Sequence, residues 1–333
     1  MNHTATLPPP GVSVVIGNYN HAKFLPAALD RFLQLKQYFC EIIIADDCST
    51  DDSWEVMQKY AKDNSIIRLI KNPENLGMIG NYTMLLHEAV GDYVIAASAD
   101  DVMIPENLEE LLLAMRKYPE AVLFAGQNNF YIEDENRLAR PEKCLSVSGF
   151  CSPGLFRYFR NLPTGPCGTF IKRTLFIEYY EKCSKMYTCC DMVVSYMIMA
   201  RHPFFYLKKP VATMRVAGDS RSPISFRQVD FQNKFYDQFF PFLREEYPDL
   251  YEMLVESHGF RFFPPVRRYL LTHISAWDKY TVRILWAGLT PTYSRFRYGF
   301  LPSLLPNFAL KYARRVRNRI FGKPIDYPDD LDD

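Results

Sequence analysis

Two glycine signatures are missing from this chain. No G-x-G-x-x-G follows the first apolar run, and no G-x-x-x-x-G-K-[ST] occurs anywhere. Their absence argues against a Rossmann dinucleotide site and against a P-loop. Eight Cys are scattered without a C-x-x-C pair, and the adjacent Cys189 and Cys190 cannot form an ordinary metal knuckle. The six His (His3, His21, His87, His202, His258 and His273) show no ligand spacing, so none is assigned a catalytic role. The net charge is +1, which leaves no overall field to recruit nucleic acid. No apolar stretch approaches the about 20 residues of a membrane-spanning helix. Met1 to Pro10 carries no signal-peptide pattern, and a reduced, cytoplasmic setting is the expectation.

What remains is ordinary for a globular chain of 333 residues: 48% hydrophobic and 23% charged. Aromatic residues are abundant at 15%, many of them beyond residue 150 in a region also rich in Arg. The first half alternates between strand and helix. Val12 to Ile16 is a continuous apolar run, the mark of a strand buried on both faces. Phe24, Leu25, Ala28, Leu29, Phe32 and Leu33 then fall on one side of an amphipathic helix. The alternation continues as EIIIAD, DSWEVMQKYAK, IIRLIKN, MIGNYTMLLHEAV, YVIAAS, PENLEELLLAMRKY and AVLFAGQ, with Pro105 suited to a first helical turn. This pattern predicts an α/β fold with a mostly parallel central sheet and helices on both faces.

In such sheets ligands bind beyond the carboxyl ends of the strands. Three polar clusters fall at those ends: Gly17-Asn18-Tyr19-Asn20, Asp46 to Asp51, and Ser98-Ala99-Asp100-Asp101. Asp100 and Asp101 offer hard oxygen ligands for Mg²⁺ or Mn²⁺, cations that pair carboxylates with substrate phosphates. Alternatively, Asp101 caps the helix beginning near Pro105 and Asp100 hydrogen-bonds a turn. Asp46, Asp47, Ser49 and Asp51 could likewise form an N-cap box before Trp54.

In order and spacing, VSVVIGNYN, EIIIADDCSTDDS, NPENLG, GDYVIAASADD and CDMVVSYMIMA resemble the family 2 glycosyltransferases of the GT-A fold. The similarity runs over roughly residues 11–220. It implies an inverting transferase that takes a sugar from a nucleotide-diphosphate donor, a UDP-sugar, to a saccharide acceptor. On that resemblance Asn18 and Tyr19 form the first nucleotide-contacting loop. Asp47 pairs with the uracil ring, and Asn75 and Asn81 lie near the donor. Asp100 and Asp101 match the metal- and ribose-binding carboxylates, with Mn²⁺ or Mg²⁺ as cofactor. Asp191 matches the catalytic base, although an Asp opening a helical run such as Met192 to Met199 is ordinarily a first-turn charge.

Four departures from the family pattern stand out. Ser98 replaces the first Asp of a strict D-x-D, and Cys190 the Glu of the usual E-D. Gly17 stands where Pro is common. MRVAGDS resembles a segment that usually reads R-x-H, but Ala217 occupies the histidine position. The Gly residues of PTGPCGTFIKR (163–173) would let backbone approach a sugar, or simply form a turn.

The expected domains are a transferase domain over 1–225, with a nucleotide-sugar half (11–130) and an acceptor half (131–225). A mainly helical extension over 226–333 follows. Within it, Leu305 to Phe321 sets apolar residues at helical spacing among Lys311, Arg314, Arg315, Arg317 and Arg319. Such a helix either packs on the domain or lies on anionic lipid. The second reading, with Trp286 to Phe321 as the basic aromatic stretch, makes the protein peripheral at the inner membrane face. That suits the lipid-linked acceptors and surface-polysaccharide synthesis that the resemblance implies. Asp326 to Asp333 reads as an acidic tail. Two rival functions remain. A nucleotidylyltransferase would carry a basic Gly-rich loop after the first strand, which NYNHAKF lacks. A non-catalytic sugar-binding module is suggested by Ser98 and Ala217.

Overall fold

The computed structural model describes residues 11–139, 148–153, 155, 167–184, 190–216, 229–256, 260 and 266–287. The chain forms two compact units, Met1–Pro264 and Pro265–Asp333. Among the described residues no helix is long and apolar enough to cross a membrane.

The first unit is built on a ten-stranded sheet. Its parallel part comprises β1 (Val12–Asn18), β2 (Glu41–Asp46), β3 (Ile67–Lys71) and β4 (Tyr93–Ser98) in the order β3-β2-β1-β4. The apolar runs read from the sequence are these strands. Val14, Ile16, Ile42, Ile44 and Ile95 face a core completed by helices α1 (Leu25–Leu33), α2 (Ser53–Asp63) and, further along, Leu108 to Met115. Alternate residues Val15, Ile43 and Val94 are equally buried, and helix α3 (Gly77–Glu88) packs on β1 and β2. Burial of both faces explains why these strands are apolar throughout rather than alternating.

Beyond β4 the sheet turns mixed. Strand β5 (Val102–Met103) and helix α4 (Pro105–Lys117) lead to β6 (Leu123–Ile132), β7 (Arg137–Ala139), β8 (Gly149–Cys151) and β9 (Phe170–Lys172). Helices α5 (Arg173–Cys183) and α6 (Cys190–Arg201) precede the long β10 (Phe204–Val216). β9 lies antiparallel between β4 and β6, β10 runs parallel to β6, and β5 pairs antiparallel with β10. Short strands of two or three residues carry no readable period, which is why the sequence did not reveal them.

Gly168 has φ +69, and a Cβ there would come within 2.5 Å of Val211 Cγ2. A left-handed turn pressed on β10 therefore accounts for that glycine. Residues 163–166 of the same segment lie outside the described residues.

The described residues of the first unit beyond β10 are helical and aromatic. Phe235, Phe239 and Phe240 from helix Val229–Pro241 pack with Tyr251 of helix Pro248–Glu256 and with Phe260. The second unit contains helices Val266–Thr272 and Thr281–Ala287, joined by a turn in which Trp277 Nε1 donates to Leu270 O at 2.5 Å. Leu305 to Phe321, Asp326 to Asp333 and most of Trp286 to Phe321 lie outside the described residues.

Candidate active site

Strand register decides what meets at the sheet's carboxyl edge. Asn18 pairs with Asp46, and Gly17 pairs with both Ala45 and Ser98. The three polar clusters thus leave the sheet side by side, at the edge where ligands bind in open α/β sheets.

The loops after β1 and β2 are knitted together. Asn18 Nδ2 donates to Asp46 Oδ1 at 3.0 Å and Ser49 Oγ at 3.2 Å. Asn18 is buried, and its Oδ1 accepts no hydrogen bond. An unmet acceptor of this kind is costly and calls for a donor from a ligand or water. Ser49 Oγ accepts the Asn20 N–H, and Asn20 Oδ1 accepts the Thr50 N–H at 2.7 Å. Asn20 and Cys48 both take left-handed conformations, with φ 56 and 63. Tyr19 sits half-buried in the same loop. Asp51 accepts the Ser53 and Ala22 N–H groups. The N-cap of α2 is Asp52, which makes no side-chain cap bond, so Asp47 is not spent on capping.

Asp47 faces elsewhere. It is 3% exposed, and its Oδ1 accepts the Leu76 N–H at 2.7 Å and Asn72 Nδ2 at 3.0 Å. Asn72 Nδ2 also reaches Asn81 Oδ1 at 3.0 Å. Asn72, which sequence reasoning passed over, therefore couples Asp47 to Asn81. It opens the NPENLG segment, and that position was the available signal. Asn75 is exposed and uses Oδ1 to accept the Gly77 N–H at 3.0 Å. It shapes the turn into α3, where Gly77 has φ +71.

The acid pair occupies the turn from β4 to β5. Ser98 Oγ donates to Asp100 Oδ1 at 2.5 Å, and the Asp101 N–H donates to Ser98 O at 3.2 Å. Helix α4 is capped at Ile104 with no side-chain bond, so neither acid serves as its cap. Asp100 Oδ2 lies 3.6 Å from Arg215 Nη1. Asp101 is buried, and burial, followed by the Asp100 charge, lifts its carboxyl from 3.8 to about 7. The Cys167 thiol and the Arg215 backbone N–H donate to that carboxylate and work against the rise.

Tyr82 closes the floor between β1 and β4. Its hydroxyl donates to Ala97 O at 2.5 Å and accepts the Gly17 N–H. A Cβ on Gly17 would meet the Tyr82 ring at 3.2 Å and Asn81 Nδ2 at 3.3 Å. Pro at position 17 would both lose that N–H and press on the ring, which accounts for the glycine. Burial, then the charge on Asp101, raises the Tyr82 phenol well above its usual value, and Asp191 adds to the effect. Asp101 and Asp191 also act together on the buried Cys167 thiol, again after burial. The charge of Asp191, from α6, is thus felt by the same Tyr82 and Cys167 groups as that of Asp101.

Asp191 is half-buried, and burial raises its carboxyl above the usual range. Its Oδ1 accepts the Met192 N–H at 2.7 Å, so it fills a first-turn role in α6. Cys189 and Ala217, and the side chain of Cys190, lie outside what is described.

Among the described residues no group of three or more His, Cys, Asp or Glu is arranged to hold a metal. Asp100 and Asp101 nevertheless suit one hard divalent cation. They are adjacent carboxylates, and the charge of one lifts the pKa of the other, a conflict that a cation relieves. Further ligands would have to come from a diphosphate and water.

A twisted α/β sheet presenting this edge is an architecture shared with solved glycosyltransferases. The S. aureus TarS fragment 1–349 in complex with UDP-GlcNAc superposes with TM-score 0.52 at 15% identity, over 84% of this chain and 90% of that one. Mannosyltransferase PcManGT from Pyrobaculum calidifontis, in complex with GDP-Man and Mn²⁺, gives TM-score 0.54 at 16% identity, over 95% and 89%. These likenesses establish a GT-A-like fold. The sequence pattern of glycosyl transferase family 2 matches residues 13–180, half of the chain, and the chain belongs to that family. Among its relatives is the Escherichia coli UDP-Glc:alpha-D-GlcNAc-diphosphoundecaprenol beta-1,3-glucosyltransferase WfaP, 34% identical over 124 residues, 37% of this chain and 47% of WfaP. Glycosyltransferase GlyG of Streptococcus pneumoniae is 29% identical over 125 residues, 38% and 40%. The matched stretch thus spans less than half the length of these relatives.

Proposed function

We propose that the chain transfers a sugar from a nucleoside-diphosphate donor to a saccharide hydroxyl with inversion. What supports this reading is the register that sets Asn18, Asp46 and Ser98 side by side at the sheet's carboxyl edge, next to the Asp47 and Asp100–Asp101 turns, in a family 2 chain. Asp47 accepts from the ring N–H of the base, with Asn72 and the Leu76 N–H fixing its carboxylate. Asn18 offers its unmet Oδ1 to the nucleoside, and Tyr19 flanks it. Asn81 supports Asp47 through Asn72, and Asn75 holds the turn that seats Leu76.

Asp100 and Asp101 would hold a divalent cation, which when bound would supply positive charge against the diphosphate. Asp191 takes the proton of the acceptor hydroxyl as that oxygen attacks the anomeric carbon. Its burial-raised pKa makes it a stronger base than a solvated carboxylate. A UDP-sugar is the favoured donor, because UDP-Glc is in the name of WfaP and UDP-GlcNAc is bound in TarS. The Mn²⁺ in the PcManGT complex supports the metal. The acceptor is proposed to be a lipid-linked saccharide, as the name of WfaP describes. It would be met at the cytoplasmic membrane face through Trp286 to Phe321.

A thermal-shift screen of nucleotide-sugars with Mn²⁺ tests the donor assignment, since a ligand bound only by the folded state raises its apparent stability. A UDP-sugar should give the largest shift. No shift with any nucleotide-sugar contradicts the proposal.

A further inference from the structure

Arg215 lies where a cation is wanted. Near the end of β10, its side chain is 8% exposed and held from several directions. Nη1 stands 3.6 Å from Asp100 Oδ2. Nε donates to Glu133 Oε2 at 2.9 Å, and Nη2 joins the same oxygen. The guanidinium lies over the Phe24 ring, 4.4 Å from its centroid, and the Arg215 backbone N–H donates to the Asp101 carboxylate. Ser98 occupies the other Asp100 oxygen. Both oxygens of Asp100 are therefore engaged before any metal arrives.

We propose that Arg215 is a positioning residue that competes with the divalent cation for Asp100, and that Glu133 sets the strength of that competition. This rests on the reading of Asp100 and Asp101 as metal carboxylates. A metal approaching Asp100 meets a fixed like charge, which lowers its affinity in the empty site. Glu133 draws the guanidinium away from Asp100 through a charge-assisted pair. Removing Arg215 should therefore tighten metal binding, whereas removing the Glu133 charge releases Arg215 to Asp100 and should weaken it. Arg215 also holds Asp100 aimed when no metal is present, so the site stays assembled between turnovers.

The test is Mn²⁺ titration of the purified full chain without nucleotide, following free Mn²⁺ by electron paramagnetic resonance. Arg215→Gln should bind Mn²⁺ several-fold tighter and Glu133→Gln several-fold weaker than wild type. In the Arg215→Gln background, Glu133→Gln should have little further effect, because Glu133 acts through the guanidinium. Shifts in one direction for both single variants, or an undiminished Glu133 effect without Arg215, overturn the proposal. If Arg215→Gln does not fold, Glu133→Gln decides alone: equal or tighter binding overturns it. Asp100→Asn separates the two readings. Unchanged Mn²⁺ affinity in that variant defeats the metal assignment itself. Loss of Mn²⁺ there, without the opposed shifts, defeats only the role of Arg215.

Discussion

Asn72→Ala removes one side chain that serves two buried partners. Its Nδ2 reaches Asp47 Oδ1 and Asn81 Oδ1, each at 3.0 Å, and all three residues are at most 5% exposed. A hydrogen bond to a charged acceptor is worth about 1.5–3 kcal/mol, and a buried acceptor left unmet costs about 1–3 kcal/mol. The two losses overlap, because water can enter the gap, so the expected destabilisation is about 3 kcal/mol. The Leu76 N–H still holds Asp47 from one side, so the carboxylate should swing rather than leave the site. If Asp47 reads the base, UDP affinity should then fall about tenfold or more, corresponding to about 1.4 kcal/mol of lost alignment. Urea unfolding gives the first quantity, and calorimetric titration of UDP with saturating Mn²⁺ gives the second. A folded Asn72→Ala protein that binds UDP as tightly as wild type would refute the Asp47–Asn72 account.

Other expectations follow from the same geometry. Asp101→Ala should lower sugar transfer about a hundredfold or more, given the several kcal/mol a metal contributes to charge stabilisation; near-normal, still metal-dependent transfer would remove Asp101 from the site. In metal-free protein Asp101 ionises at about 7 when folded and at 3.8 when unfolded. Between those values the folded state holds more protons, so stability should fall as pH rises from about 4 to about 7, by about 4 kcal/mol in all. Urea midpoints in EDTA at pH 5 and pH 8 measure this slope, which Asp101→Asn should flatten. Sedimentation with anionic liposomes should show salt-sensitive binding that is lost in a chain ending near Pro302; equal binding by both forms would remove the C-terminal stretch from membrane contact.

The parallel core was legible because its strands are buried on both faces, and VSVVI, EIIIAD and YVIAAS cannot hide that. Once these runs align in parallel, the register places Asn18, Asp46 and Ser98 together, so the site's location could be read from the strand ends. What could not be read were contacts made across long separations by residues with no local signature. Tyr82 looks like part of an amphipathic helix, yet it joins the Gly17 N–H to Ala97 O. Cys167 precedes a strand of only three residues and gives its thiol to Asp101. In MRVAGDS attention goes to the absent histidine at Ala217, while two positions earlier Arg215 contacts both acids. Nor could the sequence show that Asn75, which the resemblance places near the donor, accepts the Gly77 N–H and so shapes the turn into α3.

The proposed reaction is donor chemistry at this edge, with Asp191 as base. Its most direct test is release of UDP from UDP-sugars, with a saccharide acceptor and Mn²⁺, by wild type and by Asp191→Asn. The variant keeps the shape of the side chain and a capping oxygen for the Met192 N–H. Wild type should release UDP in a Mn²⁺-dependent way, and release should collapse in Asp191→Asn with UDP affinity retained. UDP release undiminished in Asp191→Asn, or none by wild type from any nucleotide-sugar, would contradict it.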